Sequence, residues 1–408
     1  MTRLGYLLVV LALFAAPARS QPAGPPALVS AAVPASAPRP DVARAVFLTG
    51  QAAPNGGTFT EFSDPALNDR GDLVFAALTT SAAAHDSIYL RAGGHTTALA
   101  STGQPAPTGG TFEVFNDVVL NDRDTVVFLA RTSDRTARQG LYLARAGTIA
   151  PIVAVGQPAP SGGLFSDFAN PTINVEDTVA FVGRMTQGAQ EGIFVANEGS
   201  ITALVLSGQR APGGGRFQFF LDGSPAQNDH GQIAFVASTA PRVAFGVYVL
   251  VGTRPVPVVT TDDDAPVGGP FTEFGFVNLT GAGTVGFVGR TVRSTVREAY
   301  YVTGLAQLVA LARQGEAASG DVLTTFVNSV MNEREEVVFE LGTPSPIPRG
   351  IYLATRAGVR AVVRAGDPTP SGARFTAFDA PALNGRGQIA FVAESDDGRH
   401  GIYLVTPR

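Results

Sequence analysis

The stretch "LNDRGDLVF", Leu67 to Phe75, is a polar turn running into an apolar strand. It returns as "LNDRDTVVF" at Leu120 to Phe128 and as "LNGRGQIAF" at Leu383 to Phe391. A second phrase, "GQAAP", marks the start of each unit, at Gly50, Gly103, Gly156, Gly208, Asp262, Gly315 and Gly366, 51 to 54 residues apart. A period this regular decides the architecture before single residues do.

Each unit carries a Phe after its turn: Phe75, Phe128, Phe181, Phe235, Phe287, Phe339 and Phe391. Each also carries a later ring: Tyr89, Tyr142, Phe194, Tyr248, Tyr301, Tyr352 and Tyr403. Burying one such ring stabilises a fold by roughly 2–3 kcal/mol, so the two series predict a repeated core layer. The turn itself holds Asn68, Asn121, Asn174, Asn228, Asn332 and Asn384, with Thr280 in the fifth unit. Asn caps its own turn, and a Gly three residues on supplies positive φ. The motif predicts a hairpin between two antiparallel strands.

In the first unit the strands are expected at about Thr58–Leu67 (A), Asp72–Leu78 (B), Ser87–Arg91 (C) and Thr96–Thr102 (D). Four-stranded units closing in a ring make an all-β, seven-bladed β-propeller; the alternative is an open β-repeat solenoid. Two details favour the ring. The last unit ends after its C strand, while "DVARAVFLTG", Asp41 to Gly50, is a D strand without its own A, B and C. The two pieces predict one blade closed by the N-terminal strand. Pro151, Pro255 and Pro257 fall in D strands; Pro belongs on sheet edges, so D is the outer edge and A faces the central channel.

Composition fits and excludes. The chain has 408 residues, 45% hydrophobic and only 15% charged, with 47 Gly and 29 Pro, a mixture suited to short strands and tight turns. It has no Cys, and all 29 positive charges are Arg. Disulfides, thiol nucleophiles, thiolate zinc sites, Schiff bases and a phosphate-loop lysine are thereby excluded. A net charge of −5 gives no reason to expect nucleic acid as a partner.

The N-terminus opens with Arg3, an apolar run from Leu4 to Ala16 and a small-x-small site at Ala18-Arg19-Ser20. Residues 1–20 therefore read as a secretory signal peptide, too short for a membrane span, and no span is expected after its removal. Residues 21–40 are a Pro/Ala-rich linker, and residues 41–408 form the propeller domain. The expected location is secreted or periplasmic.

"NDRGDLVF", "NDHGQIAF" and "NGRGQIAF" resemble the tandem NxxGxxAF-repeat proteins, secreted bacterial proteins of little-known function, over Gly50 to Arg408. The resemblance implies a propeller-like β-repeat fold and secretion, and no activity. Asp124, Asp177 and Glu335 replace the motif's Gly, which suggests relaxed turns. With no Trp, the Trp-Asp repeat, the Trp-docked quinoprotein blade, the sialidase-type Asp box and the kelch unit are excluded.

Function is less legible. The D–A crossovers and the B–C loops should share one face, and loops on one face of such a fold are where ligands bind. Arg131, Arg184 and Arg290 stand three residues past the core Phe; such forks suit a carboxylate, sulfate or phosphate, or an acidic glycan. His85 and His400 lie in the B–C loops of blades that would be neighbours in a closed ring, and could act as acid and base or bind a metal. Asp262, Asp263 and Asp264 could chelate Ca²⁺, although their spacing matches no calcium loop; otherwise no cofactor is expected. Acids near the A strands (Glu61, Asp64, Glu113, Asp117, Asp167, Asp222, Glu273, Asp379) could border the channel. The leading expectation is a secreted binding or interaction module for an anionic or glycan ligand, or for a protein partner, on the B–C loop face. The rivals are a propeller hydrolase or lyase and a structural surface or matrix protein.

Overall fold

A computed structural model describes residues 42–407 except 222, 242–243, 293–294, 305–306 and 343–349. The expected signal peptide and linker lie outside the described residues, as does Asp222. Every regular element among the described residues is a β-strand, and the strands assemble into seven antiparallel blades, each with four strands in the order A-B-C-D. In the second blade these are Phe112–Leu120, Val126–Thr132, Gln139–Arg145 and Thr148–Ala154.

The seventh blade closes the ring. Its A, B and C strands are Phe375–Phe378 with Ala382–Leu383, Ile389–Ser395 and His400–Val405. Its outer strand is Arg44–Leu48, which pairs antiparallel with the C strand, Arg44 opposite Leu404 and Leu48 opposite Gly401. Phe47 of this strap then reaches into the first blade, its ring 4.7 Å from that of Phe75. Strap closure thus excludes the open solenoid.

Each blade is glued by the two predicted ring series, stacked nearly parallel: Phe75 on Tyr89 at 5.5 Å and Phe391 on Tyr403 at 5.9 Å, for example. Strand A adds a ring edge-on, as Phe59 does to Tyr89 at 5.1 Å and Phe112 to Tyr142 at 5.1 Å. These "F-x-x-F" pairs (Phe59/Phe62, Phe112/Phe115, Phe165/Phe168) recur in six of the seven units and belong to the same core. Offset and edge-on pairs contribute about 0.5–1.5 kcal/mol each beyond their area.

Two expectations need correction. Strand A of the first blade is not continuous: it is broken into Phe59–Phe62 and Ala66–Leu67 around Asp64-Pro65. In the second, third, fifth and sixth blades it runs on through a bulge instead, with Asp117, Asn170, Phe276 and Asn328 at positive φ. The turns without Gly are not relaxed either. Asp124, Asp177 and Glu335 hold φ of 57°, 58° and 58°, the left-handed region that Gly71 and Gly231 occupy in their own turns. Their side chains account for the tolerance, because each accepts hydrogen bonds from the preceding blade. Asp124 accepts from Asn68 Nδ2 at 3.2 Å, Asp177 from Asn121 Nδ2 at 2.9 Å, and Glu335 from Thr284 Oγ1 at 3.0 Å.

Candidate functional site

The two faces of the ring do different work. On the turn face, five of the six repeated Asn residues use both ends of the amide, while Asn174 uses its Oδ1 alone. Asn68 Oδ1 accepts from the backbone N–H of Arg70 and Asp72 and shapes its own turn. Its Nδ2 donates to the backbone O of Asn121 at 3.1 Å, and Asn121 donates in turn to Asn174 O at 2.9 Å. Asn228 donates to Thr280 O, Asn332 to Asn384 O and Asn384 to Asn68 O. The turns therefore encircle a central cavity of about 200 Å³ bordered by Asn68, Asn121, Asn332 and Asn384. This face is a structural clamp.

The other face gathers the crossovers and B–C loops, as their mutual bonds demonstrate: Thr58 N donates to Thr80 Oγ1 at 2.9 Å, Thr111 N to Ser133 Oγ at 2.9 Å and Arg374 N to Asp396 Oδ1 at 2.9 Å. The "GQ" phrase opening each crossover is a local cap. Gln51, Gln104, Gln157 and Gln209 each accept, through Oε1, the backbone N–H three residues earlier, and Asp263, Glu316 and Asp367 do the same through a carboxylate. Asp263 thus spends Oδ2 on Thr260 N and Thr260 Oγ1, at 2.8 and 3.0 Å. Asp262, Asp263 and Asp264 are not gathered around a point, and among the described residues no group of three or more His, Asp or Glu side chains is arranged to hold a metal ion.

The arginines and His400 occupy one repeated position, the cross-strand pair at the open end of strands B and C. The pairs read Arg131–Gln139, Arg184–Glu191, Arg290–Glu298 and Glu394–His400. Arg184 is held by two carboxylates, Nε to Glu191 at 3.3 Å and Nη1 to Asp167 at 3.0 Å. Arg290 is held the same way, Nε to Glu298 at 2.8 Å and Nη1 to Glu273 at 2.7 Å. The buried acids of these pairs also join blades, because Glu191 accepts from Phe220 N at 3.0 Å and Glu298 from Phe326 N at 2.7 Å. Arg131 has Val114 and Gln139 opposite it where the other two have acids, and it alone of the three forms no ion pair among the described residues. His400 Nε2 lies 3.0 Å from Glu394 Oε1, and His85 Nδ1 lies 2.9 Å from Thr79 O. Each histidine is thus engaged within its own blade.

What the ring does bring together is acid on its inner strands. Asp64, at the break in strand A of the first blade, sits beside Asp379 of the seventh. Confinement by the surrounding protein, then the charge of Asp379, pushes the Asp64 carboxyl up to about 6 against the pull of the Ala380 N–H. Asp64 is nonetheless open to water, so this confinement acts inside a wetted ring and not in a dry core. Asp117, at the bulge of the next blade, is likewise pushed up, first by confinement and further by Asp167, while the Asn170 N–H holds it back.

Fold and face together define a seven-bladed propeller with an acid-lined inner wall and a loop-rich face. Residues 33–340 and 245–403 match the family of unknown function DUF7453, and the chain belongs to that family. No curated protein matches it. Among solved structures, a Mycobacterium tuberculosis puromycin-hydrolyzing peptidase is similar over 84% of this chain and 51% of its own, with 14% identity and a TM-score of 0.51. This chain thus spans about half the length of that enzyme. The polysaccharide lyase Uly1 matches over 90% of this chain and 99% of its own, with 10% identity and a TM-score of 0.45. A Trypanosoma rangeli sialidase matches over 89% and 58%, with 10% identity and a TM-score of 0.37. At such identities the likeness is one of fold.

Proposed function

We propose that the chain is a secreted or periplasmic binding module whose crossover face takes a neutral, hydroxyl-rich glycan. The observation that carries this reading is the acid-lined inner wall. Asp64 and Asp117, each beside a second acid, offer carboxylate oxygens that accept sugar hydroxyls and repel anions. The same face has little to offer an anion, because Arg184 and Arg290 already carry two carboxylates each. The signal-like N-terminus supports an extracytoplasmic setting, where glycans are at hand. Calorimetric titration of the chain from Gln21 with neutral oligosaccharides and with a polyuronate tests the reading. Saturable binding of the neutral sugar, weakened at least tenfold in Asp64→Asn/Asp379→Asn, supports it. Binding of the polyuronate alone, lost in Arg131→Ala, overturns it in favour of an anion site.

A second reading is favoured by one observation, the Asp64 carboxyl pushed up to about 6 beside a second carboxylate. A group of that strength is suited to general acid work near neutral pH, and a pair of carboxylates is the equipment of glycoside hydrolysis. Release of a chromophore from aryl glycosides between pH 4 and 8, abolished in Asp64→Asn, is the result this reading requires. Absence of turnover over that range leaves the binding module as the reading.

A further inference from the structure

We propose that the fourth blade carries a separate sugar-binding pocket built around the hydroxyl of Tyr248. The argument comes from what the other blades do with the same atom. The Tyr of strand C is tied down on the crossover face in blade after blade. Tyr89 donates to Asn55 Oδ1 at 2.6 Å, Tyr142 pairs with Thr108 Oγ1 at 2.6 Å, and Tyr301 donates to Val267 O at 3.2 Å. Tyr352 is bound to Asp321. In each of the first two blades the partner is the side chain that follows the crossover proline, and that side chain seals the end of the core.

In the fourth blade this position is Gly213, and a Cβ built there would meet nothing within 4 Å. The seal is absent, and a cavity of about 660 Å³ lies in its place, lined by Gly213, Phe245, Tyr248, Pro257, Asp262 and Asp263 among others. Tyr248 itself is only 2% exposed, and its hydroxyl has no hydrogen-bond partner among the described residues. The hydroxyl therefore faces the cavity with only solvent to bond, and a ligand oxygen seated there would take the place of that solvent. Burial pushes this hydroxyl up to about 12, so it is a protonated donor at any physiological pH.

The lining selects the ligand class. Phe245 and Pro257 present apolar surface for the C–H face of a sugar ring. Tyr248 presents a donor, and Asp263, with Oδ2 spent on Thr260, has Oδ1 left to accept a sugar hydroxyl. Asp262 and Asp263, the charged groups among the described lining residues, disfavour uronates and sulfated units. The volume falls in the range of small-molecule sites, about 300–1,000 Å³, and holds one or two sugar rings. The pocket needs neither Asp64 nor Asp379, so it stands apart from the inner wall proposed above.

The test is titration of the chain from Gln21 with neutral disaccharides (cellobiose, maltose, lactose, chitobiose), followed by tyrosine near-UV dichroism and calorimetry, with choline as a cationic control. The expected result is saturable binding of at least one disaccharide, at least tenfold weaker in Tyr248→Phe and unchanged in Tyr142→Phe, whose hydroxyl is already tied to Thr108. Tyr248→Phe is a safe variant because Phe194 fills the same position in the third blade. Gly213→Asn, which restores the residue of the first blade, should block binding as well. Binding lost in Asp64→Asn and kept in Tyr248→Phe overturns the pocket and leaves the inner-wall reading standing. No disaccharide binding, or choline binding in its place, overturns the sugar assignment.

Discussion

Asn384 donates through Nδ2 to the backbone carbonyl of Asn68 at 2.8 Å, across a sequence separation of 316 residues. One amide thereby joins the last turn of the chain to the first, by the same bond that joins neighbouring turns elsewhere in the ring. Asn384 is buried, and its Oδ1 also accepts from Arg386 N and Gln388 N. Asn384→Ala leaves the half-buried N–H groups of Arg386 and Gln388 without their acceptor and Asn68 O with only the Gly71 N–H, and should cost about 1–3 kcal/mol. Asn384→Asp keeps the acceptor and loses the donor, so it should fall between the parent and the Ala variant. Urea unfolding of the three proteins checks the order, and an Ala variant as stable as the parent rules out the clamp.

The strap predicts a larger loss. Residues 41–49 contribute the outer strand of the seventh blade and the ring of Phe47, 8% exposed and packed on Phe59 and Phe75. Their deletion exposes the C strand His400–Val405 as a new edge, an invitation to aggregation. Burial of Phe47 alone is worth about 2–3 kcal/mol. The deleted chain should melt well below the parent and aggregate on heating, and calorimetry with light scattering would detect both.

Arg290 is a structural residue on this evidence, and Arg131 is not. Removing the Arg290 guanidinium strands Glu298, only 5% exposed, at the joint with Phe326 N. Breaking a buried pair on one side costs several kcal/mol at most; with the arginine half-exposed, about 1–2 kcal/mol is expected for Arg290→Ala. Arg131→Ala should stay within about 0.5 kcal/mol. Equal, negligible effects for both would return Arg290 to the pool of available anion ligands.

The fold was legible because its signals are periodic: the unit spacing, the two aromatic series, prolines on the outer strand and a D strand without its blade. The inter-blade chemistry was not. Asn68 reads as a turn former, and nothing in its own unit reveals that Nδ2 reaches the next one. Asp124 and Glu335 look like eroded glycines until their donors in the neighbouring blade are seen. Arg184–Glu191 and Arg290–Glu298 were within reach, since counting residues outward from the B–C loop places each pair opposite in the hairpin. The free Tyr248 hydroxyl was also within reach, because Gly213 stands where aligned units have Asn55, Thr108 and Ser161. The Asp64–Asp379 pair was legible only as two of the acids expected near the channel, because which acids meet depends on the break in strand A at Asp64.

That pair makes stability depend on pH. A carboxyl whose folded value is raised, here from 3.8 to about 6, binds its proton more tightly folded than unfolded. Folding is therefore favoured while Asp64 is protonated, and stability falls as pH rises from about 4 through about 6. Asp64→Asn removes this slope. The variant should match the parent near pH 3 and exceed it by about 1 kcal/mol at pH 7, a figure reduced for the water that reaches Asp64. Urea midpoints at the two pH values would expose the difference, and parallel profiles would show that Asp64 ionises normally.

The third blade offers the converse of the Tyr248 argument. Its strand C ring is Phe194, which has no hydroxyl, while Ser161 on the facing crossover keeps a buried Oγ with no partner. In the second blade the corresponding residues, Tyr142 and Thr108, bond at 2.6 Å. Phe194→Tyr supplies the missing hydroxyl at a position where the fold already accepts Tyr in six other blades. Satisfying one buried polar atom is worth about 0.5–1.5 kcal/mol, so the variant should be more stable than the parent by that amount. Ser161→Ala in the parent removes the orphaned Oγ and should be neutral or mildly stabilising, whereas in the Phe194→Tyr background it should cancel the gain. A double-mutant cycle on unfolding free energies measures the coupling directly; a coupling near zero would mean that the two residues do not meet as their counterparts do.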